Sequence, residues 1–179
     1  MNAVLDSVAR AEPRILLADG RQDPSMDELD SALLTLLQED AKQTNKELAR
    51  RLHIAQSTCL ERVRELTRRG IVRGHHVEVD LKKIGRPVQA MVAVRLRPPD
   101  RAVIESFRAF VAGLPEVLSV FVMSGSDDFL LHIAVADNDH LSGFVLDRLT
   151  QRKEIVDVRT SVIFNHFRRT VVTPVAPDA

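Results

Sequence analysis

The side chains able to do metal, acid–base or nucleophilic chemistry are few, and their spacing suits none of it. Six histidines are present: His53, His75, His76, His132, His140 and His166. None forms an HExxH pair or stands beside cysteine at zinc-ligand spacing. His75 and His76 are adjacent, and in a strand they would point to opposite faces. No metal site and no cofactor are therefore expected. Cys59 is the single cysteine, which excludes an intrachain disulfide and a cysteine-rich zinc centre. It falls on the apolar side of a helix, where a thiol packs rather than reacts. GxSxG, Walker and GxGxxG patterns are missing, so nothing in the sequence marks an enzyme. Asp127 and Asp128 are paired carboxylates at a turn between two apolar runs. Turn chemistry and ligand binding both account for them.

Charge is more informative than any of these groups. The chain has 25 basic and 25 acidic residues, but they are segregated. Residues 1–40 carry nine acids and three bases, whereas residues 41–75 carry three acids and nine bases. A basic block is either a solvated face or the footprint of a polyanion, and the motif inside it has to decide. With 45% apolar residues the chain can build a core. No apolar run reaches the roughly 18 residues of a membrane span. The N-terminus lacks a continuous apolar signal region, so a soluble cytoplasmic protein is expected.

Three helices surround the basic block. Ser25 and Glu28 have capping-box spacing, and Leu29, Leu33, Leu36 and Leu37 follow at helical intervals. Thr44 and Glu47 form a second box, opening a short helix over Asn45–Arg51 with Leu48, Ala49 and Leu52 inward. A turn over Leu52–Ala55 leads to a third helix from Gln56 to about Arg69, with Cys59, Leu60, Val63 and Leu66 inside and Gly70 as its stop. This is helix-turn-helix spacing. The expected outer face of the third helix holds Ser57, Thr58, Glu61, Arg62, Glu65, Arg68 and Arg69. Polar side chains on its first turns can reach base edges, and later arginines lie where phosphates run. Gly70–Gly74 and His75–Val79 are expected as two short strands, a small wing.

The string CLERVREL at 59–66 and RGIVRG at 69–74, with LD at 29–30, LLQ at 36–38 and NKELA at 45–49, resembles the Lrp/AsnC family of transcriptional regulators. The resemblance runs from about Met26 to Thr170. It implies a winged helix-turn-helix touching double-stranded DNA through Asn45, Lys46, Gln56, Ser57, Thr58, Glu61, Arg62, Arg64, Arg68 and Arg69. Two departures stand out. His53 occupies the turn position where the family usually has Gly, and Ala55-Gln56 replaces the usual Ser-Pro, which weakens the cap of the third helix by about 1 kcal/mol.

The second half reads strand, helix, strand, strand, helix, strand. The strands are Val88–Leu96, Val117–Met123, Phe129–Val135 and Ile155–Phe164. Pro98 to Asp100 break the first strand and cap a helix carrying Val103, Phe107, Phe110, Val111 and Leu114. Asp137 or Asn138 caps another with Leu141, Phe144, Val145 and Leu149. The expected class is α+β: an N-terminal winged helix-turn-helix plus a C-terminal ferredoxin-like βαββαβ domain. The expected layout is an extension at 1–24, the DNA-binding domain at 25–75 and a linker strand and hinge at 76–87. The effector and oligomerisation domain is expected at 88–166 and a tail at 167–179. Ile15–Ala18 in the extension suits a mobile arm or a docking strand.

Four apolar-faced strands under helices on one side leave Met91, Ala93, Phe121, Met123, Leu131 and Ile133 needing cover, which predicts a homodimer. The resemblance allows octamers built as rings of dimers. It also implies a small-molecule effector, an amino acid or related metabolite, at Gly125, Ser126, Asp127, Asp128 and Phe129. Ser126 replaces the first acid of the family's Gly-Asp-x-Asp-aromatic pattern, so either weak amino-acid binding or a preference for a less cationic metabolite is expected. Two other classes fit the same architecture. One is an enzyme such as a sirohaem decarboxylase, marked by a bound chromophore. The other is an architectural DNA-binding protein with no effector.

Overall fold

The computed structural model describes residues 26–98 and 100–174. Ser25 and the extension at 1–24 lie outside the described residues. The described chain divides into two compact units, one of residues 26–78 with 167–174 and one of residues 79–166.

The first unit is a trihelical core. Helix α1 spans Glu28–Glu39, α2 Asn45–Arg51 and α3 Gln56–Arg68. The cap of α1 is Asp27, whose carboxylate accepts the Asp30 N–H at 2.8 Å. It is thus not the serine expected from the spacing. Thr44 and Glu47 do form the reciprocal box on α2. Leu33, Leu36, Leu37, Leu48, Ala49, Cys59 and Leu66 are buried together, with Ile54, Val63, Ile71 and Val72 packed around them. The turn between α2 and α3 closes through the Ile54 N–H on the Ala49 carbonyl at 3.0 Å. His53 takes φ 54°, the left-handed region, as the missing glycine required. No side chain caps α3.

The expected wing strands are not formed. After Gly70, at φ 72°, the N–H groups of Ile71 and Val72 both return to the Leu66 carbonyl. They close the C-terminus of α3 and are unavailable for a ladder. The linker over 76–87 is likewise no strand: Asp80 accepts the Lys82 N–H at 3.0 Å and residues 81–85 form turns.

The second unit is a four-stranded antiparallel sheet in the order β2-β3-β1-β4, with β1 Val88–Leu96, β2 Val117–Val122, β3 Phe129–Val135 and β4 Ile155–Ile163. Helix α4, Arg101–Ala112, starts at Asp100, which accepts the Val103 N–H at 2.9 Å. Helix α5, Asn138–Gly143, runs on as a π-helical segment, Phe144–Leu149. Both supply apolar residues to one face of the sheet. Ala90, Val92, Val94 and Leu96 of β1 and Phe129, Leu131 and Ile133 of β3 are fully buried there with Phe107, Val111, Phe144 and Leu149. Leu131 and Ile133 are therefore already covered within the chain, contrary to expectation. Alternation puts Met91, Ala93, Leu130 and His132 on the other face, and Phe121 and Met123 are exposed.

Candidate nucleic-acid interface and effector turn

On α3 the exposed residues Ser57, Glu61, Arg64 and Arg68 fall at helical intervals and form one outward stripe, with exposed Gln56 at its start. Thr58 and, on α2, Asn45 are half-buried, and Lys46 is exposed. Arg68 projects into solvent but is forked onto Glu65 at 2.8 and 2.5 Å. Arg64 makes no ion pair among the described residues.

Arg62 and Arg69 do not share that stripe. Arg62 donates to Asp27 at 2.5 Å and to Asp30 at 3.0 Å, and the Arg69 guanidinium lies 3.8 Å from Asp30. Asp30 is 2% exposed, so Arg62 of α3 and Arg69, the residue that caps its C-terminus, converge on one buried carboxylate of α1. The hydrogen bonds that Arg62 donates to the Asp27 and Asp30 carboxylates hold its pKa above its ordinary value. The Asp27 carboxyl is lowered first by the Asp30 N–H and further by Arg62. The sequence carried a signal for this acid: Asp30, Leu33 and Leu37 lie on one helical stripe, so the charge faces inward with the leucines.

In the sheet unit, the turn between β2 and β3 is closed by the Met123 N–H on the Asp128 carbonyl at 2.9 Å. Gly125 has φ 140°, with nothing within 4 Å of where a Cβ would stand. Ser126 is exposed and donates to Asp127 at 3.0 Å. The five residues expected to act together separate in role. Asp128 accepts the Leu96 N–H at 2.7 Å, which anchors the turn at the β1–β4 irregularity. Both oxygens of Asp127 take hydrogen bonds at 2.5 Å from Arg159 of β4. Phe129 is fully buried, edge-on to Phe107 at 4.8 Å, so its ring belongs to the core and lines no open cleft. The period of two decides this: Phe129, Leu131 and Ile133 share the helix-covered face.

Arg159 was missed by sequence reasoning. It pairs in register with Ala93, whose small side chain leaves the guanidinium room to reach across β1. Among the described residues no group of three His, Cys, Asp or Glu is placed to hold a metal ion. No described helix is long and apolar enough to cross a membrane.

Residues 26–73 match a family model described as winged helix-turn-helix DNA-binding, and residues 89–172 match the Lrp/AsnC ligand binding domain. The chain is 38% identical over 143 residues to the HTH-type transcriptional regulator AldR of Mycobacterium tuberculosis, covering 80% of each chain. It is 35% identical over 150 residues to the transcriptional regulator AzlB of Bacillus subtilis, covering 84% of this chain and 96% of that one. Among solved structures, a Neisseria meningitidis transcriptional regulator in complex with L-Met superposes with a TM-score of 0.77 at 33% identity, over 84% of this chain and 97% of that one. An AsnC family regulator from Agrobacterium tumefaciens gives 0.76 at 28% identity, over 83% and 97%. The winged helix-turn-helix and the ferredoxin-like sheet are thus those of known regulators, and the chain belongs to the Lrp/AsnC family of DNA-binding, ligand-responsive transcriptional regulators.

Proposed function

We propose that this cytoplasmic regulator reads DNA with the stripe Ser57, Glu61, Arg64 and Arg68, aided by Gln56 at the start of α3 and by Asn45 and Lys46 of α2. The observation that carries this is the partition of the α3 arginines. Arg64 is exposed and makes no ion pair among the described residues, whereas Arg62 and Arg69 are held against Asp30. An arginine able to form a bidentate contact with guanine gives about 1–3 kcal/mol of discrimination. Arg68 and Lys46 suit phosphate contacts, which add affinity without specificity. Arg62 and Arg69 act by holding α3 on α1.

Fluorescence anisotropy with a duplex from upstream of the protein's own gene tests this assignment. Arg64→Ala is expected to weaken binding by about 1–3 kcal/mol and to relax base preference. Arg68→Ala should weaken all sequences alike and flatten the salt dependence. Unchanged affinity in both variants would remove α3 from the interface.

The effector is a small metabolite held at the turn formed by Gly125, Ser126 and Asp127. The Neisseria relative is described in complex with L-Met. Here Asp127 and Asp128 are both engaged within the chain, which supports a ligand less cationic than a free amino acid. A thermal-shift screen of amino acids and 2-oxo acids, repeated on Asp127→Ala and Gly125→Val, locates the site. A hit that binds both variants as tightly as the parent protein places it elsewhere. A ligand can act on DNA binding only by favouring one state of the protein over another.

A further inference from the structure

Residues 26–78 do not complete the DNA-binding unit by themselves, since the stretch 167–174 belongs to it as well. Its anchor is Val172. The Gln38 side chain of α1 donates Nε2 to the Val172 carbonyl at 3.0 Å and accepts the Val172 N–H on Oε1 at 3.0 Å. One side-chain amide thus satisfies both backbone groups of one residue, as a neighbouring strand would. A further bond from Nε2 to the Leu34 carbonyl at 3.1 Å fixes the amide on its own helix. Beside this anchor runs a groove of about 390 Å³, lined by Leu34 and Leu37 of α1, by Ile71 and Val72 after α3, and by Thr173 and Pro174 of the tail. Val172 is 64% exposed, so at this anchor the tail is held by its backbone. Such a contact is definite in position and able to open.

The same stretch follows β4 after residues 164–166, and β4 carries the Arg159 that closes on Asp127 in the Gly125–Phe129 turn. At the other end, α1 carries the Asp30 that holds Arg62 and Arg69 of α3. We propose that residues 167–174 are a strap whose docking surface is the face of α1 around Gln38. By docking or releasing there, the strap transmits the state of the effector turn to the recognition helix. The partner this surface fits is the chain's own extended, β-branched C-terminal segment. The proposal rests on the reading of the turn as the effector site. A ligand that competes for Asp127 or Arg159 alters β4, the strap follows, and α1 passes the change to α3 through its ion pairs. This is a two-state contact that both sites bias, which is the physical requirement for coupling.

Amide hydrogen exchange on the full chain tests this without an effector or an operator. The variants are Gln38→Leu, which keeps the bulk and loses both hydrogen bonds, and Gln38→Glu, which sets a carboxylate against the Val172 carbonyl. Both should speed exchange of the tail at least ten-fold and loosen residues 71–75, while β1 and β3 keep the protection of the parent protein. Arg159→Ala alone should speed tail exchange several-fold, and adding it to Gln38→Leu should change nothing more. A tail that exchanges as fast in the parent protein as in both Gln38 variants means that no strap exists. A tail unmoved by Arg159→Ala means that the strap does not follow β4. Failure of the effector reading shows separately, as a ligand that binds normally to Asp127→Ala and Gly125→Val.

Discussion

Asp30 is the residue on which the DNA-binding unit turns. A carboxylate 2% exposed survives burial only if it is paired, and Arg62 and Arg69 supply the pairing. Removing one member of a fully buried pair costs about 3–5 kcal/mol. Arg62 keeps some water, so Asp30→Asn is expected to cost about 2 kcal/mol in urea unfolding, short of that full penalty. Asp27→Asn keeps a capping side chain and loses only a half-exposed charge, so it should cost about 0.5 kcal/mol. Equal losses would mean that burial of Asp30 contributes nothing. His132 gives the sheet unit a pH response. Its Nε2 lies 3.0 Å from the Gln89 Oε1, and the His166 ring is 5.9 Å away. Burial lowers its pKa, and the electrostatic interaction with the nearby His166 ring lowers it further. A histidine depressed in the folded state contributes stability above its unfolded pKa of about 6.5, and that stability is lost as pH falls through the folded value. The sheet unit should therefore melt lower at pH 5 than at pH 7. His132→Gln should shrink that difference, and an unchanged difference would assign it to other groups.

At the scale of elements, the turn between α2 and α3 and the start of α3 each carry a local weakness. His53 holds φ 54° with a β-carbon in place, and Ala55 offers no side chain to the free N–H groups of α3. His53→Gly relieves a left-handed strain of about 1–2 kcal/mol, offset in part by the greater freedom of glycine when unfolded. Ala55→Asp adds a cap worth about 1 kcal/mol and sets a negative charge at the positive end of the helix dipole. Thermal unfolding should rise for each, and the two gains need not add because the sites are neighbours. A fall for both would mean that the native turn is already relaxed. These elements were legible in the sequence because caps and periodicity are local: α2 runs over Asn45–Arg51 as its box predicted. The wing was not legible: the two strands expected over 70–79 rest on local alternation, which says nothing about a partner strand, and the N–H groups of Ile71 and Val72 serve α3 instead. The direction of Arg62 and Arg69 was hidden for a related reason. A basic residue beside an apolar stripe turns inward or outward according to what the facing helix buries. Phe129 could have been placed by alternation along β3, had the family resemblance not grouped it with the effector residues first.

For the whole molecule, the unanswered physical demand is the uncovered face of the sheet. Phe121 is 50% exposed, Met123 43% and Leu118 39%. Helices α4 and α5 lie over the opposite face, so nothing within the described sheet unit covers these groups. A contiguous apolar patch of this kind marks a protein interface. Two copies related by a two-fold axis would cover each other's patch and double the number of recognition helices, as palindromic operators require. Phe121→Asp places one charge in the patch of each copy, hence two at a self-complementary interface. Light scattering at micromolar concentration is expected to give a dimer or larger assembly for the parent protein and a smaller mass for the variant. The variant should also bind a two-half-site duplex no better than a single half-site, because the advantage of the second site comes from linkage between copies. A monomeric mass for the parent protein, or an unchanged mass for Phe121→Asp, would assign the exposed face to a different partner.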